Sequence, residues 1–153
     1  MNEPVPIDAQ SVALLMAEAT LPAGFPSPCA DHTVKPIDLN EVLLLRPQAS
    51  FLFRVKGQSM TGAGIYDGDT LIVDRAIEPA HNHIVVAVID GEFTVKRLYR
   101  RGKVLRLLAE NPDFKPIDFK DGQELRIFGV ATHNVHHLAA GPWQRAQPCE
   151  KDH

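Results

Sequence analysis

The chain has 153 residues, a formal charge of −3 and 44% hydrophobic residues, enough for one domain with a real core plus tails. Its 16 Lys and Arg form no dense block, which argues against direct, sequence-specific DNA binding through phosphate contacts. The apolar runs 42–45 and 84–89 are too short to span a bilayer, and residues 1–6 lack the Lys or Arg of a secretory signal. Cys29 and Cys149 stand near opposite ends without metal or redox spacing, so the expected setting is cytoplasmic and reducing, with no cofactor and no membrane partner.

Residues 1–37 read as an N-terminal arm. They hold six of the twelve prolines, four of them at Pro22, Pro26, Pro28 and Pro36. Within the arm, residues 8–19 are expected to form a short helix, capped by Asp8, with Val12, Leu15, Met16 and Ala19 on one face. Residues 21–28 cannot be helical, because proline fixes φ and pushes its predecessor toward extended geometry. Asp38-Leu39-Asn40-Glu41 is a capping-box-like start for a second short helix reaching Leu45, with Pro47 beyond its end.

From there the pattern turns to strands. Residues 50–55, 70–74, 84–89, 93–99, 104–108 and 125–132 are β-branched or aliphatic runs separated by turn residues. Asp90-Gly91 between two of them is a strong hairpin signal, because a two-residue turn of the favoured hand needs positive φ. The expected architecture is therefore a mainly β domain of twisted antiparallel strands over residues 38–138, a flexible arm at 1–37, and a tail at 139–153 with little periodicity.

Two positions can carry chemistry. Ser59 lies in Gly57-Gln58-Ser59-Met60, a glycine-led turn with Gly62 and Gly64 nearby. Such a turn can expose a hydroxyl and aim successive backbone N–H groups at an oxyanion. A glycine-flanked serine taken alone is most often an ordinary surface turn. Lys96 lies in Thr94-Val95-Lys96 on an apolar strand, where alternation puts it on one face with Thr94 and Leu98, and Arg97 on the other with Phe93, Val95 and Tyr99. Either Lys96 reaches solvent and Arg97 snorkels, or Lys96 is buried beside Ser59. A lysine titrates near ~10.4 in water; burial lowers that value, and the neutral amine is then a base able to activate a serine. The pair points to a Ser–Lys hydrolase rather than one built on Ser, His and Asp.

Ala23-Gly24 lies in the extended, proline-marked arm. Small residues on both sides of a bond leave room for a nucleophile, and an extended segment suits strand-addition binding in a protease cleft. Ala63-Gly64 and Ala140-Gly141 repeat the dipeptide, one inside the body and one in the tail. Histidines 81 and 83, and the group 133, 136 and 137, lack the Cys or carboxylate spacing of a metal site. Asp67, Asp69, Asp74 and Asp90 stand beside glycines or strand ends and read as turn formers.

The blocks Gly24-Phe25-Pro26-Ser27-Pro28, Ile37-Asp38-Leu39-Asn40, Gly57-Gln58-Ser59-Met60, Asp67-Gly68-Asp69, Leu71-Ile72-Val73-Asp74 and Asp90-Gly91-Glu92-Phe93-Thr94-Val95-Lys96 occur in an order that resembles the LexA/UmuD-type self-cleaving superfamily. The resemblance spans residues 24–138. It implies Ser59 as nucleophile, Lys96 as general base, the backbone N–H groups of Gln58 and Ser59 as oxyanion donors, and Ala23–Gly24 as the bond cut. It also implies a homodimer, stimulation by a RecA–single-stranded DNA filament, and a shortened form that serves a UmuC-like Y-family polymerase subunit in translesion synthesis. Other readings of the same residues are a non-catalytic dimeric polymerase scaffold, a truncated LexA-like repressor, for which residues 1–23 are too few to hold a helix-turn-helix, and a signal peptidase.

Overall fold

A computed structural model of the protein describes residues 5–6, 13–17, 34–43, 45–46, 48–119 and 124–139. Its strands are β1 (Val5–Pro6), β2 (Ala13–Ala17), β3 (Val34–Asp38), β4 (Ser50–Arg54), β5 (Thr70–Asp74), β6 (Ile84–Ile89), β7 (Glu92–Arg101), β8 (Val104–Leu108), β9 (Ile117–Phe119) and β10 (Arg126–Val135), with one helix, α1 (Leu39–Val42), and a 3-10 turn at Thr61–Ala63. The fold is mainly β, as the strand runs imply. Eight strands form one sheet in the order β1-β4-β5-β10-β6-β7-β8-β9, and β2 and β3 form a separate ribbon. Every neighbouring pair is antiparallel.

The sheet is packed on both faces. Val55, Met60, Ile65, Leu71, Val73 and Val86 form one buried cluster. Val85, Ala87, Leu98, Leu107 and Val130 form another. Successive residues of β6 thus enter different clusters, which explains why the 84–89 run is apolar without alternation. β10 sits between β5 and β6, and its register shifts at Ile127/Gly129 and again at Ala131/His133. Such bulges bend and twist a strand. At Gly129 a Cβ would stand 2.7 Å from Val73 Cγ1 and 2.9 Å from Asp74 O, so the close approach of β10 and β5 needs a glycine there.

The turn between β6 and β7 has Asp90 at φ 50° and Gly91 at φ 78°, the two positive values a tight hairpin demands. Asp38 caps α1, its carboxylate accepting from the Asn40 N–H at 3.0 Å.

Two expectations are corrected. The short helix expected to reach Leu45 spans only Leu39–Val42, with Leu43 as its C-cap. Residues 13–17 are a strand rather than part of a helix. They pair with Val34–Asp38, from Ala13 opposite Asp38 to Ala17 opposite Val34. Helical periodicity in a short segment is a weak preference, and a ladder to a distant strand overrides it. The remaining residues of that expected helix lie outside the described set. The short strand β9 was not expected; its three residues, bounded by Pro116, are below the length that periodicity reveals. The arm also supplies β1, which pairs Val5 with Leu52 and Pro6 with Phe51 at the sheet edge.

Candidate active site

Between β4 and β5 the chain makes a loop closed at its neck. The Val55 N–H donates to Asp69 O and the Gly68 N–H to Val55 O, each at 2.8 Å, and the Gly57 N–H donates to the Asp67 carboxylate at 2.7 Å. Gly57 takes φ 92°, a value that favours glycine. Met60, 1% exposed, anchors the loop in the core, and its carbonyl accepts from the N–H groups of Ala63 and Ile65. Ser59 therefore sits one residue from a buried anchor, and the turn that bears it is fixed by packing.

A second segment holds the turn from outside. The Glu110 N–H donates to Ser59 O at 2.8 Å, the Gly62 N–H donates to Glu110 O at 2.7 Å, and Asn111 Nδ2 donates to Gln58 O at 2.9 Å. A Cβ on Gly62 would lie 2.5 Å from Glu110 O, so only glycine permits this approach.

Lys96 comes from β7. The β7–β8 ladder runs from Arg101 opposite Val104 to Arg97 opposite Leu108, and stops there. Continued by register, it would set Val95 opposite Glu110. Instead the Glu110 N–H turns to Ser59 O, and Val95 O accepts from Lys96 Nζ at 3.1 Å. Lys96 Nζ also lies 3.1 Å from Thr94 Oγ1 and 2.9 Å from Ser59 Oγ. The serine turn thus occupies the side of β7 that β8 leaves open.

The Lys96 amine has three oxygen neighbours and, among the described residues, no carboxylate paired with it. Burial holds its pKa below the ordinary lysine value. In the neutral form its two N–H groups match Thr94 Oγ1 and Val95 O, and its lone pair is left for the Ser59 hydroxyl proton. The backbone N–H groups of Gln58 and Ser59 donate to no other described residue, as an oxyanion hole requires. Ser59, Gln58 and Lys96 are brought together; Ala23 and Gly24 lie outside the described residues. The chain between β2 and β3 contains them.

Arg97 does not snorkel into water. It pairs with the Glu110 carboxylate, and its Nη1 donates to Asn82 O at 2.7 Å. Glu110 and Asn111 are site residues that the sequence did not single out; the one local signal was Asn111-Pro112, which marks a turn just after β8.

Asp67, Asp69 and Asp74 do accept from nearby backbone N–H groups, of Gly57, Tyr66 and Ala76. Asp69 does more. It is buried, accepts from Asn134 Nδ2 at 2.7 Å and pairs with His136. Burial pushes the Asp69 pKa up. The hydrogen bonds from Asn134, His136 and the Tyr66 N–H, with the electrostatic pull of His136, outweigh it and hold the carboxyl below its ordinary value. His136 is thus an exposed histidine that caps the buried Asp69 carboxylate rather than a side chain directed only to water. Among the described residues, no three His, Cys, Asp or Glu side chains are grouped to hold a metal ion, and no helix is long and apolar enough to cross a membrane.

Residues 15–132 match the family described as Peptidase S24-like. The chain is 46% identical over 115 residues to protein ImpA of Salmonella typhimurium, covering 74% of this chain and 77% of that one. It is 45% identical over 135 residues to protein SamA of Salmonella typhimurium strain LT2, covering 88% and 90%. It is 43% identical over 110 residues to the LexA repressor of Ralstonia nicotianae, covering 71% of this chain and 50% of that protein.

Proposed function

This chain belongs to the S24-like peptidase family, in its LexA/UmuD branch of SOS-related serine autoproteases, and we propose that it cuts its own Ala23–Gly24 bond with Ser59 and Lys96. The observation that carries this reading is the 2.9 Å separation of Lys96 Nζ and Ser59 Oγ, in surroundings that favour the uncharged amine.

The Ala23 carbonyl carbon is presented to Ser59. Lys96 Nζ takes the hydroxyl proton as Oγ bonds to that carbon. The oxyanion so formed accepts from the N–H groups of Gln58 and Ser59. Collapse breaks the C–N bond, and Lys96 passes its proton to the Gly24 nitrogen. Water, deprotonated by Lys96, then attacks the acyl-serine, releases residues 1–23 and restores the Ser59 hydroxyl. Because the bond is carried by the same chain, its effective concentration is high and weak subsites suffice.

The stimulus is a RecA–single-stranded DNA filament that binds the docked form of the arm and so raises its population. The product, residues 24–153, acts as a homodimer in the cytoplasm, as accessory subunit of a Y-family, UmuC-like translesion polymerase. The direct test is mass spectrometry after incubation with RecA, ATP and single-stranded DNA. One new amino terminus at Gly24 is expected. Full-length chain left intact under those conditions would overturn the reading and leave the non-catalytic scaffold in its place.

A further inference from the structure

Glu110 is tied both to the serine turn and to the strand that carries Lys96. Its main chain holds the serine turn, donating to Ser59 O and accepting from the Gly62 N–H. Its side chain pairs with Arg97, the residue after Lys96. Arg97 is also the last β7 residue paired with β8. Beyond Leu108 no ladder sets where the chain lies along β7, yet that chain carries the groups that place Ser59. The ion pair stands where the next rung would be. Its side chains are 29% and 32% exposed, so water screens it less than a fully solvated surface pair.

We propose that Glu110 and Arg97 are a positioning pair that sets the distance between Ser59 Oγ and Lys96 Nζ. Neither touches the bond to be cut; they act by locking the serine turn to the lysine strand. The inference rests on the reading of Ser59 and Lys96 as nucleophile and base. A planar guanidinium and a carboxylate give a directional link that a lysine in place of Arg97 does not reproduce.

The experiment follows two rates across pH in the full chain: phosphonylation of Ser59 by a small fluorophosphonate, and self-cutting. Glu110→Gln, Arg97→Gln and Arg97→Lys are compared with the parent, all well below their melting temperatures. Each is expected to lower the high-pH plateau of labelling by about tenfold or more, since small misplacements of reacting groups have effects of this order. The pH midpoint should stay in place, because the lowered Lys96 pKa comes from burial. The double variant Glu110→Gln/Arg97→Gln should label no more slowly than either single one, as partners in one link are not additive. The exchange Arg97→Glu/Glu110→Arg should regain part of the rate. Unchanged plateaus with lowered melting temperatures would reduce the pair to a structural role and overturn the proposal. A parent chain that labels at Ser59 but never cuts itself refutes self-proteolysis alone, and the labelling rates still decide the pair. Absence of Ser59 labelling in the parent overturns both.

Discussion

Lys96 and Asp69 are both withdrawn from water in the same domain, and both pKa values move down. The same direction has opposite consequences. It favours the uncharged form of the lysine and the charged form of the aspartate. Around Asp69 the loop and β10 supply Tyr66 N–H, Asn134 Nδ2 and His136, enough donors to offset the cost of burial. Around Lys96 the neighbours are a hydroxyl, a second hydroxyl and a carbonyl, with no carboxylate among the described residues paired to the amine. Burial with compensating partners makes a clasp; burial without them favours an uncharged amine, the form the proposed base needs.

The contrast breaks hardest at the dyad itself. Ser59→Ala and Lys96→Ala should each reduce self-cutting by about 10³-fold or more, read as loss of the Gly24 amino terminus by mass spectrometry. Lys96→Arg keeps a long cationic side chain that cannot deprotonate, and should be as inactive. Activity in Lys96→Arg would mean that a charged group suffices there.

On the Asp69 side the effect should fall on stability. Asp69→Ala leaves the Tyr66 N–H and Asn134 Nδ2 without their acceptor and should cost about 1–3 kcal/mol in urea unfolding. Lys96→Met should move the other way at neutral pH, raising stability by removing an amine whose burial favours its uncharged form. Equal losses in the two variants would erase the distinction.

A subtler break is Gly62→Ala. The added carbon would meet Glu110 O at 2.5 Å and must push the serine turn from its support. Self-cutting should drop by about 10- to 10²-fold, with a circular dichroism spectrum like the parent's.

The smallest effects are those of pH alone, and their signs differ. Self-cutting should speed up as pH rises through the lowered Lys96 value. The Lys96 contribution to stability should also rise with pH, from that value toward about 10.4, because the unfolded chain holds the extra proton. The Asp69 contribution is complete above about pH 4 and is lost as pH falls through its lowered folded value. Denaturant midpoints measured from acid to alkaline pH, with Asp69→Asn and Lys96→Met as references, separate the two slopes.

Much of this was legible in one dimension. β5, β6 and β8 begin and end where the apolar runs do, and Asp90-Gly91 makes the tight turn that its residues require. Ser59 and Lys96 stand out because each is chemically odd in its place, a serine among glycines and a cation on an apolar strand. The segment 13–17 misled, because its apolar spacing fits a helix and its backbone pairs with a strand. Glu110 and Asn111 carry no periodicity of their own. Asn111 matters through Gln58, 53 residues away, and His136 through Asp69, 67 residues away.

The sequence by itself determined β4 to β8 and β10, the turn chemistry and the two chemically odd residues Ser59 and Lys96, since each depends on neighbours a few positions apart. Only the tertiary structure decided that the β7–β8 ladder stops at Arg97, that the serine turn fills the space beyond it, and that among the described residues a carboxylate pairs with Asn134 and His136 but none with Lys96. Those outcomes depend on which distant groups share a low-dielectric space, and the charge state of a buried amine is set by that company and by the water it has lost.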